Sequence, residues 1–106
     1  YIKIGRLVHI QARIVTSSLG SVSGNISISG LPFTPQNTTY LNGSISVSNG
    51  QNLSVTAGYN VGLDVLANTS SLLVKLWDAT GGSTTMQSGE WTDGGLVDFG
   101  GTYISA

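Results

Sequence analysis

Cysteine is absent from the 106 residues, which excludes disulfide staples, thiol nucleophiles and thiolate metal sites. Charge is almost as scarce: 8% of residues carry it, against about 25% in ordinary globular domains. The net charge is −1, and Lys3, Arg6, Arg13 and Lys75 are scattered along the chain. Binding to nucleic acid depends on a basic patch that neutralises phosphates, so no nucleic-acid partner is expected. No apolar run approaches the roughly 20 residues of a membrane-spanning helix, and residues 72–74 are typical of the longest, so no membrane insertion is expected. His9 is the only histidine. No Asp-x-Asp-x-Asp-Gly calcium loop occurs, and neither metal nor cofactor is expected.

What is present is an apolar fraction of 40% and fifteen glycines, set among dense serine, threonine and asparagine. Glycine and these small polar residues break every window long enough for a helix. The length fits one domain spanning residues 1–106, able to bury roughly two thirds of its unfolded surface. A hydrophilic but uncharged surface suits sheets, turns and contact with other chains. Because Tyr1 already reads as strand, the chain is expected to be a piece excised from a longer one.

Alternation with period two recurs and predicts strands with one buried face. In the first, Val8, Ile10, Ala12 and Ile14 share a face, with Ile2 and Ile4 in the same phase, while Leu7, His9, Gln11, Arg13 and Val15 form a mixed opposite face. Residues 17–24 are a Ser/Gly stretch. Ile26 and Ile28 mark a short inward-facing strand, residues 30–34 a corner ended by Pro32, and residues 35–43 a loop. Ile45 and Val47 make another strand, and Asn49-Gly50 is a strong turn signal. Leu53, Val55, Ala57, Tyr59, Val61, Leu63 and Val65 keep one phase, with a bend or bulge at Gly58 and Gly62 and Tyr59 structural. Residues 68–71 turn the chain into a strand over 72–78, with Leu72, Val74 and Leu76 inward. A loop runs from Gly81 to about Gly95, and the chain closes with residues 96–99, a Gly100-Gly101 break and residues 102–105. The pattern predicts an all-β, jelly-roll-like β-sandwich of about seven or eight short antiparallel strands.

Three segments carry a family resemblance: Tyr1-Ile2-Lys3-Ile4-Gly5-Arg6-Leu7-Val8, the corner Gly30-Leu31-Pro32-Phe33-Thr34, and the finish Phe99-Gly100-Gly101-Thr102-Tyr103-Ile104-Ser105-Ala106. In this order and at this length the set resembles the C-terminal domains of bacteriophage tail fibres and tailspikes, and related viral fibre domains. The resemblance implies that the piece comes from the C-terminal end of its parent, and that it is a β-sandwich that assembles as a homotrimer at the tip of a virion fibre or spike, for host-surface attachment, trimer stabilisation or both. Residues 35–95 carry no matching signature, so no ligand follows from it.

Each candidate site has a plain alternative. Glu90 and Asp93 lie in a glycine-rich loop, and paired carboxylates can hydrolyse glycosidic bonds when held at the right separation, but nothing there fixes that separation, and solvated loop charges are the plainer reading. His9 lacks an identifiable orienting carboxylate for a Ser-His-Asp arrangement; on the mixed face with Gln11 and Arg13 it reads as a surface or subunit-interface residue. Sugars expose C–H faces that stack on aromatic rings, which directs attention to Trp91, set in a polar loop with Gln87, Glu90 and Asp93, and to Tyr40 in the 35–43 loop. Trp91 is either a sugar contact or a structural plug. Trp77, out of phase with Leu72, Val74 and Leu76, faces outward or toward a subunit seam. The Asn-x-Ser/Thr triplets at Asn25, Asn37, Asn42, Asn52 and Asn68 read as turn or strand chemistry.

The expected function is therefore non-enzymatic: recognition of a host-surface polysaccharide or glycan, with trimer stabilisation, at a viral fibre tip. The alternatives are a purely structural trimerisation domain and a carbohydrate-binding module attached to a polysaccharide-degrading enzyme.

Overall fold

The computed structural model describes residues 1–18, 20–21, 23–38, 43–79 and 81–106. Tyr40 lies outside the described residues. Eight strands form one antiparallel sheet: β1 (Ile2–Ile4), β2 (Leu7–Val15), β3 (Ser27–Ser29), β4 (Gly43–Leu53), β5 (Asn60–Val65), β6 (Ser71–Ala79), β7 (Gly82–Thr85) and β8 (Trp91–Ile104). The spatial order is β1-β2-β8-β4-β5-β6-β3, with β7 sharing one side of β6 with β3. A single 3₁₀ turn, Ser88–Glu90, precedes β8.

The sandwich is thus made by one continuous sheet folded over its own apolar face, rather than by two separate sheets. β1, β2, β8 and β4 form one layer; β5, β6, β3 and β7 form the other. The layers join at the β4–β5 ladder, which holds only two residue pairs, Ile45↔Leu63 and Ser46↔Gly62. Val8 and Ile10 of β2, Ile45 of β4, Leu72, Val74 and Leu76 of β6, and Val97, Phe99 and Tyr103 of β8 close the core between them.

Four expectations need correction. The opening segment is a hairpin, not one strand: β1 turns at Gly5 and Arg6 and pairs Ile4 with Leu7 and Ile2 with His9. Gly5 supplies the positive φ, 60°, that a two-residue hairpin with glycine first requires. The reversal pairs even residues with odd ones, so Ile2 and Ile4 share the outer face of Leu7 and His9 and stand 63% and 73% exposed. Asn49-Gly50 does not turn the chain; β4 runs through it with a register shift between Val47 and Asn49, held by the long partner β8. The turn comes instead at Ala57-Gly58, closed by the Tyr59 amide donating to the Thr56 carbonyl at 3.1 Å, and it leaves Tyr59 exposed rather than in the core.

The Gly81–Gly95 loop is the fourth. It contains β7 and the start of β8, which continues through Gly100-Gly101 without a break. Gly101 sits there because β4 passes close by: a Cβ would meet the Ser44 carbonyl and lie 2.7 Å from the Ile45 Cα. The expected corner is present and fastened. Buried Tyr103 donates its hydroxyl to the Phe33 carbonyl at 2.8 Å and accepts the Phe33 amide at 3.2 Å.

Candidate functional site

The outer face of β5 and β6 follows from their register. Asn60 pairs with Trp77, Gly62 with Lys75 and Asp64 with Leu73. Since Leu72, Val74 and Leu76 are buried, strand alternation turns Trp77 and Lys75 outward. Trp77 is 59% exposed, as its sequence phase predicted. Its indole lies along the bare backbone of Gly62, where a Cβ would stand 3.7 Å from Nε1. A basin of about 580 Å³ is bounded by Trp77, Asn60, Gly62, Asp64, Lys75 and Ser46.

The polar groups around the indole are available in different degrees. Lys75 Nζ donates to Thr85 Oγ1 at 3.2 Å, which fixes the ammonium beside the basin and leaves it further donor capacity. Asp64 is exposed, and its carboxylate has no hydrogen bond or ion pair among the described residues. Asn60 offers both an amide donor and a carbonyl acceptor. A second hollow of about 430 Å³ shares Asn60 and is lined by Tyr59, Asn49, Gln51 and Asn52. Asn60 thus connects two exposed aromatic residues: it follows Tyr59 in the chain and faces Trp77 across the ladder.

The loop expected to hold the ligand is organised differently. Trp91 is only 4% exposed and belongs to the core, so of its two readings, sugar contact or structural plug, the structural one holds and the sugar contact is corrected. Its Nε1 donates to Thr16 Oγ1 at 2.8 Å, which satisfies the indole N–H in the interior. Gln87 and Glu90 serve the 3₁₀ turn: the Gln87 amide donates to Glu90 Oε1 at 3.0 Å, and Gln87 Nε2 donates to Asn25 Oδ1 at 2.8 Å. Asp93 is exposed on β8.

Arg13, expected at a subunit interface, is held within the chain. It faces Asp98 across β2 and β8 and makes a two-pronged contact, Nε to Oδ1 at 2.6 Å and Nη2 to Oδ2 at 2.8 Å. This guanidinium, by hydrogen bonding above all, holds the Asp98 carboxyl below the usual carboxylate range. His9 and Gln11 are exposed on the same outer face and border a basin of about 660 Å³ over Gly100, with Ser46 on its far side. Among the described residues no three His, Cys, Asp or Glu side chains gather as a metal site.

Compared with known protein families, curated proteins and solved structures, the chain matches none. Of the two tryptophans, the one that the sequence offered as a ligand contact is buried and the other is exposed. A polar neighbourhood in the chain is not a polar neighbourhood in space. The usable signal was the out-of-phase position of Trp77, together with the side-chain-poor, polar outer positions Asn60, Gly62 and Asp64.

Proposed function

We propose that this chain is a non-enzymatic glycan-binding module whose site is the outer-face basin at Trp77. The observation that carries the reading is an exposed indole lying along bare backbone at Gly62, ringed by Asn60, Asp64 and Lys75. A sugar ring packs its C–H face on the indole, while the carboxylate, amide and ammonium meet its hydroxyls. Glycine at position 62 lets the ring approach without a collision. Glycoside hydrolysis by the usual route requires two carboxyl groups about 5–9.5 Å apart, and the basin is lined by one, Asp64, so the site holds a sugar rather than cleaving it. Host-surface attachment at a viral fibre tip is the setting that the resemblance of residues 1–8, 30–34 and 99–106 suggests, and several copies on one tip would convert weak sites into firm attachment.

The test is a screen of wild-type protein and Trp77→Ala against immobilised polysaccharides and oligosaccharides. Binding by the wild type that the variant loses supports the reading. Absence of binding to every glycan, or binding that the variant retains, overturns it.

A second reading, a purely structural trimerising domain, is favoured by the exposed aliphatic face of Ile2, Ile4 and Leu7. It expects a solution mass of three chains with no response to glycans.

A further inference from the structure

The folded sheet does not close on itself. Along residues 10–15, β2 has β8 on one side and no strand on the other among the described residues, because β1 pairs only with Leu7, Val8 and His9. β3 likewise has β6 on one side and no strand on the other. Between these two bare edges lies a cleft in two lobes of about 320 and 180 Å³, which share Ile14 and Ile28. Its floor is the core itself, at Leu72, Phe99 and Trp91. Its polar lining residues, such as Gln11, Thr16 and Ser29, are all uncharged.

Such a cleft asks for two things together: apolar side chains for the floor, and backbone donors and acceptors for both flanks. An acyl chain supplies only the first and a sugar only the second. An extended strand with aliphatic residues at alternate positions supplies both. The chain carries a strand of that kind. β1 presents Ile2 and Ile4 to solvent, and it is held at the end of the sheet by three residue pairs with β2 and by the packing of Tyr1 and Lys3 on the Phe33 ring. Its intervening residue, Lys3, would stay on the solvent side in the cleft, as alternation requires.

We propose that β1 of one copy docks as an added strand in the cleft between β2 and β3 of a second copy. Ile2 and Ile4 pass from water to the apolar floor, and the bare edges of β2 and β3 gain backbone partners. Donor and acceptor are different surfaces, so the contact closes as a reciprocal pair or a ring where the rotation between copies allows it, and otherwise propagates as a filament. It is independent of the sugar basin, whose residues take no part.

The chain has no cysteine, which allows a direct test. Ile2→Cys protein is mixed with isotope-labelled Ile28→Cys protein, oxidised and analysed by mass spectrometry, while light scattering gives the mass of the unmodified chain. The expected results are a mass at a multiple of 10.9 kDa, a disulfide linking labelled to unlabelled chains in excess over like-with-like products, and a monomeric I2S/I4S variant with unchanged circular dichroism. A monomeric wild type overturns the proposal, as does an assembly that persists in I2S/I4S or lacks the mixed disulfide. Saturable uptake of decanoate by a monomer, blocked by Ile28→Trp, would assign the cleft to a small apolar ligand and likewise overturn it. Glycan binding lost at Trp77 is read in a separate assay, so either idea can fail without the other.

Discussion

Asn60 and Trp77 face each other across the β5–β6 ladder, which puts an amide beside an exposed indole on the outer face of the sandwich. Neither side chain is needed by the core, so both can be changed without rebuilding it. Trp77→Ala is expected to weaken glycan binding at least tenfold, a loss of about 1.4 kcal/mol, and to change unfolding free energy by no more than about 0.5 kcal/mol. Glycan-array signal and urea denaturation on the same samples check both halves.

Trp91 is expected to behave in the opposite way. It is buried and hydrogen-bonded to Thr16, so Trp91→Ala opens a cavity and should cost about 3–5 kcal/mol. That is a large share of the roughly 5–15 kcal/mol that holds a typical domain together. The urea midpoint should fall sharply, while material that remains folded keeps its glycan affinity.

The Tyr103 hydroxyl serves both backbone groups of Phe33, tying the 30–34 corner to the last strand. Tyr103→Phe keeps the ring and removes both bonds, and should cost about 1–3 kcal/mol. Chemical denaturation gives the stability change, and hydrogen exchange at the Phe33 amide should rise. Burial raises the Tyr103 pKa, so the phenol keeps its proton through neutral and mildly alkaline pH.

Asp98 provides a pH signature. Its folded pKa lies below the ordinary carboxylate value because Arg13 hydrogen-bonds the ionised form. A lowered pKa means that the folded state holds the charged form more firmly than the unfolded state does. The pair's contribution is therefore fully present above the unfolded pKa, near 4, and is lost as pH falls through the lower folded value. Arg13→Ala should return the Asp98 carboxyl toward its ordinary pKa in an NMR titration and flatten the stability profile below about pH 4. An unchanged Asp98 titration would show that the contact does not persist in solution.

Much of the layering was legible from alternation. Leu72, Val74 and Leu76 are buried and Trp77 is exposed, as their phase required, and Ile45 is buried while Val47 packs partly against the core. Other elements misled for identifiable reasons. Ile2 and Ile4 look in phase with Val8 and Ile10, but the Gly5-Arg6 turn reverses direction and swaps the face. Gly5 before a second turn residue was the available sign. β7, Gly-Ser-Thr-Thr, has no apolar alternation to announce it and exists because β6 offers it a pairing edge at Lys75 and Leu76. Asn49-Gly50 carries a turn signature that the longer ladder with β8 overrides with a bulge.

By itself the sequence determined that the fold is all-β, that helices are excluded, and which face of most strands turns to the core. Those properties are local, set by residue propensity and by the two-residue repeat of a strand. The tertiary structure alone decided that Trp91 is buried, which carboxylate meets Arg13, and that β2 and β3 end, among the described residues, as bare edges across an apolar cleft. These depend on pairings between residues dozens of positions apart, such as Arg13 with Asp98 and Tyr103 with Phe33, and chain neighbourhood carries no information about them.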